Sequence, residues 1–150
     1  MARVALLDVN VLVALFDPDH VHHELAHDWF AGQRAAGWAT CPITENGFVR
    51  VVSNPRYRAD AARASAVIGH LRRFCASGDH HFWPATISLR DEALFLVDAA
   101  RGHRQLTDLY LLGLARKMSG ALATFDRTIP IAAVKGLKSD QIAVIGPEAD

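Results

Sequence analysis

The sequence predicts a single α/β domain of three layers, with a central, mostly parallel sheet flanked by helices. Three observations carry that expectation. Short apolar runs alternate with longer stretches of helical period along the chain. No repeat, low-complexity tract or Pro/Gly/Ser linker divides it. A length of 150 residues, 51% hydrophobic and 21% charged, suffices for one well-buried core, so residues 1–150 are expected to form one domain.

Taken in order, Val4 to Leu7 is a short buried strand, and Val9 to Phe16 and His22 to Ala36 are helices separated by Asp17-Pro18-Asp19. Gly37 ends the second helix. Trp38 to Cys41 is the next strand. Thr44 then caps a helix that carries Glu45, Phe48, Val49 and Val52 and stops before Asn54-Pro55. Asp60 caps a helix reaching Phe74, and His81 to Trp83 is a weak strand. Ser88, with Asp91 three residues on, resembles a capping box opening a helix through Ala100. Thr107 caps the helix Asp108 to Met118, which turns at Ser119-Gly120 into the strand Ala121 to Phe125. Ile142 to Ile145 supplies the last strand.

Charge and cysteine content narrow the function classes. Sixteen basic residues balance sixteen acidic ones, so a polyanionic partner would have to be met by a local patch. One such patch is Arg50, Arg56, Arg58, Arg63, Arg72 and Arg73, opposed between residues 50 and 73 by Asp60 alone. Of these, Arg50, Arg56 and Arg58 are the candidate phosphate contacts. Cys41 and Cys75 sit in apolar settings and form no close pair of the zinc or redox kind, so they read as buried free thiols. Asp8 and Asn10 interrupt the apolar run at the start and no small-residue cleavage site follows, which argues against an export signal. No membrane segment is expected, and a reducing cytoplasm fits best.

The chemistry concentrates at four acids. In an open α/β sheet, ligands bind beyond the carboxyl ends of the strands, where helix N-termini also gather. Asp8 directly follows the first strand and Asp126 the run Ala-Leu-Ala-Thr-Phe, while Glu45 and Asp108 each open a helix just after a threonine. Any one of them alone reads as a helix-capping acid. Four together imply mutual repulsion that a divalent cation would neutralise, and an oxygen-only set favours Mg2+ or Mn2+ over zinc. Asn10, Thr44, Thr107 and Thr124 stand where they could hydrogen-bond these carboxylates.

The motifs Leu-Leu-Asp8-Val-Asn10-Val-Leu, Thr44-Glu45-Asn46-Gly47-Phe48-Val49-Arg50-Val51, Leu106-Thr107-Asp108 and Leu122-Ala123-Thr124-Phe125-Asp126 follow one another in an order and spacing that resembles the PIN-domain nucleases. Within that family the likeness is greatest to the VapC toxins of bacterial toxin-antitoxin pairs. It covers nearly the whole chain. The resemblance implies a PIN-like three-layer fold and a metal-dependent endoribonuclease with Asp8, Glu45, Asp108 and Asp126 as its acidic tetrad. It also implies a cognate antitoxin as partner, seated on apolar helix faces such as those at Val9 to Phe16 and Ala26 to Phe30, and a homodimer. Val9 departs from the pattern, because many relatives carry a Ser or Thr hydroxyl there.

Two other enzyme classes compete. His23-Glu24-Leu25-Ala26-His27 matches the helical zinc-peptidase motif H-E-x-x-H, in which two histidines one turn apart bind zinc and the glutamate activates water. That reading leaves Asp8, Asp108 and Asp126 without a role. A haloacid-dehalogenase-like phosphatase also starts with an Asp after an apolar strand, but wants a second Asp where Asn10 stands.

Overall fold

The computed structural model describes residues 2–146. Five short strands form one parallel sheet: β1 (Ala5–Leu7), β2 (Trp38–Thr40), β3 (His80–Phe82), β4 (Ala121–Thr124) and β5 (Ile142–Val144), in the spatial order β3-β2-β1-β4-β5. β1, β2 and β4 are buried along their whole length, as strands covered on both faces must be. The helices are α1 (Val9–Phe16), α2 (His23–Gln33), α3 (Pro42–Val52), α4 (Ala64–Ala76) and α5 (Leu106–Lys117). The first four pack on one face around Leu7, Val11, Phe30, Trp38 and Phe48. α5 packs on the other, around Leu6, Leu109, Leu112 and Leu122, together with an irregular strap over 84–105. This is the expected three-layer α/β arrangement, with every strand pair parallel.

Several predicted elements differ. α3 begins at Pro42 with Cys41 as its cap, because the Thr44 hydroxyl sits inside the first turn and accepts from the Cys41 N–H at 3.0 Å. α4 begins at Ala64, not at Asp60, whose carboxylate pairs with Arg58 instead. The predicted helix from Ser88 to Ala100 is not α-helical. Asp91 turns back locally onto the Ala93 N–H, and the chain then bridges Phe95 to Val134, with only a 3-10 turn at Val97–Ala99. Gly113 leaves room for the Phe95 ring, which would collide with any Cβ there. α5 starts one residue before Thr107, with Gln105 at the cap position. The faces of α1 and α2 expected to receive a partner are buried in the chain's own core, at Val11 to Leu15, Ala26 and Phe30.

α3 lies against the start of α1 at Gly47. A Cβ added there would sit 2.6 Å from Val9 Cγ2, so the valine's bulk is accommodated by the missing side chain. That close approach positions the turn of α3 bearing Glu45.

Candidate active site

Local geometry brings three of the acids to the carboxyl edge of the sheet. Asp8 follows β1 in extended conformation and caps α1, its carboxylate accepting from the Val9 N–H at 2.8 Å. Its other oxygen accepts from the Thr124 hydroxyl at 2.8 Å, across the β1/β4 pairing. The same hydroxyl accepts from the Asp126 N–H at 3.0 Å, so one side chain at the end of β4 orients two acids. Asp126 closes a turn by accepting from the Thr128 N–H and hydroxyl, both at 2.7 Å. Asp108 stands in the first turn of α5. Gln105, just before it, donates to the Thr128 carbonyl at 3.1 Å and ties the start of α5 to the Asp126 loop.

The electrostatics follow from that convergence. Burial, together with the Asp8 and Asp126 charges, pushes the Asp108 carboxyl up to about 6. Asp8, 7% exposed, is also raised by burial and by Asp126, against the lowering effect of its bonds from Thr124 and Val9. Asp8 and Asp108 are therefore held at a cost that a bound cation would remove. The donor set fits a hard divalent ion: oxygens only, on helix N-termini and strand ends, with no basic side chain among the causes acting on Asp8 or Asp108.

Glu45 occupies a different position. Its carboxylate accepts from the Thr40 hydroxyl at 2.6 Å, and Thr40 also bonds His80 Nε2 at 2.7 Å. Among the described residues, the group of three whose ligating atoms all lie within 4.8 Å of one another is Glu45, Cys75 and His80, not the aspartates. Neither Asp8 nor Asp108 counts Glu45 among the charges acting on it. The sequence offers no sign of this grouping, because its members come from α3, the last turn of α4 and the first residue of β3. Thr40 and Gln105 were missed for the same reason.

The remaining sequence candidates divide. Thr124 bonds Asp8 directly. Thr44 serves its own helix start, and Asn10 and Thr107 are exposed and make no hydrogen bond to the four acids. Arg58 is engaged by Asp17, Asp19 and Asp60 at 3.1–3.3 Å, and Tyr57 donates to the same buried Asp17, which closes the loop after α3 onto the α1–α2 turn. Arg50 and Arg56 remain exposed. The H-E-x-x-H pattern has a structural explanation. His23 Nδ1 bonds the Ala14 carbonyl at 2.7 Å and His27 Nε2 the Leu15 carbonyl at 2.8 Å, so both imidazoles satisfy the open end of α1. Neither ring is turned toward a third ligand, and Glu24 is exposed.

Comparison with known proteins places this edge in a family context. The PIN domain family matches residues 5–135. Ribonuclease VapC44 of Mycobacterium tuberculosis is 47% identical over 143 residues, covering 94% of this chain and 99% of that protein. Ribonuclease VapC39 of the same species is 41% identical over 133 residues, covering 89% and 96%. Ribonuclease VapC38 is 46% identical over 126 residues, covering 82% and 85%.

Proposed function

Since the chain belongs to the PIN-domain family, among its VapC ribonucleases, we propose from that premise where and how it acts. It is a metal-dependent endoribonuclease of the toxin type, and neither the peptidase nor the phosphatase reading is supported. We assign its centre to Asp8, Asp108 and Asp126, with Glu45 as fourth acid and Mg2+ or Mn2+ as the ion. The observation that carries this is the raised Asp8 and Asp108 carboxyls at one sheet edge, with the Asp126 charge acting on both. When bound, the ion stabilises charge on the phosphoryl oxygens and activates water.

The side chains divide the remaining work. Asp8, aimed by Thr124, and Asp108, on the first turn of α5, are the main ligands. Asp126 and Glu45 would complete the set of acids that holds the ion, and one of them would orient the attacking water as general base. Arg50, beside Glu45 and Asn46, and Arg56 contact phosphates of the RNA, whereas Arg58 is committed to its three carboxylates. The match over 5–135 and one sheet with a core on each face support a single domain for residues 1–150.

The partner is a cognate antitoxin. We place its segment in the groove between α3 and α4 lined by Asn46, Val49, Arg50, Ala64, Ile68 and Leu71, where Ile68 is 42% exposed. We also assign the active form as a homodimer, which gel filtration with and without the antitoxin tests. Among the described residues no helix is long and apolar enough to cross a membrane, and we place the enzyme with its RNA in the cytoplasm.

The deciding experiment is cleavage of total RNA after chelation, with Mg2+, Mn2+ or Zn2+ added back. Mg2+ or Mn2+ restores cleavage, Asp8→Asn lowers it by orders of magnitude with the fold intact, and Glu24→Gln leaves it unchanged. Near-normal cleavage by purified Asp8→Asn protein refutes the assignment.

A further inference from the structure

Glu45, Cys75 and His80 each offer a ligand atom within 4.8 Å of the other two, beyond the aspartate edge. Their meeting is built by the fold. The β2/β3 register sets Trp38 opposite His80 and Thr40 opposite Phe82, which brings the Thr40 hydroxyl within reach of the His80 ring, and Cys75 lies in the last turn of α4, five residues before His80. The turn between them is firmly tied. Arg34 donates to the Ser77 carbonyl and hydroxyl at 2.6 and 2.8 Å and pairs with Asp79, while the Trp38 indole donates to the Gly78 carbonyl at 3.0 Å. Asp79 takes a φ of 63°, a left-handed conformation that these bonds hold in place. The sulfur and imidazole are thus presented by a fixed turn.

We propose that Glu45, Cys75 and His80 form a second, soft-metal site that takes Zn2+ and switches the nuclease off by holding Glu45 away from the aspartates. The nuclease part rests on the assignment of Glu45 to the catalytic set; the metal site does not.

The ligand chemistry selects the ion. A thiolate, an imidazole and one carboxylate oxygen are the zinc donor types, with room for a fourth ligand from water, whereas Mg2+ takes oxygens and would not compete for the sulfur. Thiolate and carboxylate together balance the charge of the dication. Zinc bond lengths of about 2.0–2.3 Å in a tetrahedron put ligand atoms about 3.3–3.8 Å apart, so closing from 4.8 Å takes about 1 Å of side-chain movement. The Thr40 hydroxyl now bonds both the Glu45 carboxylate and His80 Nε2, so the ion would take over those contacts or keep that hydroxyl as a neighbour of its ligands. Without the ion, burial and Glu45 push the Cys75 thiol up to about 11, which removes the alternative of an activated nucleophile. Burial lowers His80 against the raising effect of Glu45, which favours the neutral ring that binds a metal.

The test titrates Zn2+ into the full-length protein in excess Mg2+ against a chromophoric chelator, with Co2+ as a spectroscopic probe. One zinc per chain is expected. Cobalt should give a thiolate charge-transfer band that Cys75→Ala and Cys75→Ser both lack, and each of Cys75→Ser and His80→Ala should weaken zinc by at least about tenfold. Asp108→Asn should bind zinc as the parent does. No zinc binding in Mg2+, or parent-like affinity and no loss of the band in the Cys75 variants, overturns the site. In RNA cleavage with Mg2+, zinc should inhibit the parent and spare Cys75→Ser. Inhibition of both alike would mean displacement at the aspartates and overturns the switch. A parent that never cleaves RNA sinks the nuclease assignment, while the binding titration still decides the metal site.

Discussion

Replacing Asp108 by Asn should stabilise the ion-free protein, by an amount that depends on pH. Asp108 titrates at about 6 in the fold against 3.8 for the ordinary carboxyl. Its folded value is raised, so the fold is favoured while the group is protonated, and that advantage is lost as pH climbs from about 4 through 6. At about 1.4 kcal/mol per unit the full penalty above pH 7 is about 3 kcal/mol, and solvent screening of a partly exposed side chain reduces it to about 1–2 kcal/mol. Asparagine keeps the shape and never charges. In chelator at pH 8, Asp108→Asn should therefore melt about 3–6 °C above the parent, using about 3 °C per kcal/mol for a chain of this size. At pH 4.5, where the folded Asp108 is mostly protonated and the unfolded one still mostly ionised, the difference should fall to about a third, and it should vanish only below about pH 3.5. Excess Mg2+ at pH 8 should raise the parent's melting temperature through binding to the folded state and do little for the variant. Differential scanning calorimetry over this grid of pH and ion is the assay. A variant less stable than the parent at pH 8 in chelator, or a difference independent of pH, would show that Asp8 and Asp126 do not burden Asp108.

Thr124→Val removes the hydroxyl that donates to Asp8 and accepts from the Asp126 N–H; Mg2+ affinity and RNA cleavage should fall about 10- to 100-fold, read by ion titration of cleavage, with Thr124→Ser restoring most of both. Gly47→Ala drives a methyl against Val9 and should cost about 1–3 kcal/mol in urea unfolding, and adding Val9→Ala should recover most of it.

The parts of this molecule legible in the sequence are those decided by neighbours along the chain. β1 and α1 follow from an apolar run broken by an acid that caps the next helix, and Asp8, Asp108 and Asp126 could be placed at one edge because each abuts a strand end or opens a helix. Distant contacts decided the rest. The segment after Ser88 carries capping residues, yet Leu96 donates to the Ala133 carbonyl and Lys135 to the Leu94 carbonyl, and these long-range bonds replace a helix. Asp60 was drawn off by Arg58. His23 and His27 match a metal motif only in spacing, since the carbonyls they satisfy belong to another helix. Glu45 was identifiable as an acid beside the sheet edge, but its direction is set by Thr40, five residues upstream on β2.

The strap over 84–105 has a kinetic consequence. It covers α5 through a few side chains such as Phe95, with the Tyr110 hydroxyl donating to the Ile87 carbonyl, and it holds no regular strand or α-helix. Segments held this way open locally at far less cost than the central strands, so its amides should exchange with deuterium well before those of β1 and β4. An opening there would uncover the start of α5, which carries Asp108, while Asp8 and Asp126 would stay joined through Thr124 at the end of β4. Asp108 should therefore be the acid whose position responds to the strap, and Asp8 and Asp126 the two that do not.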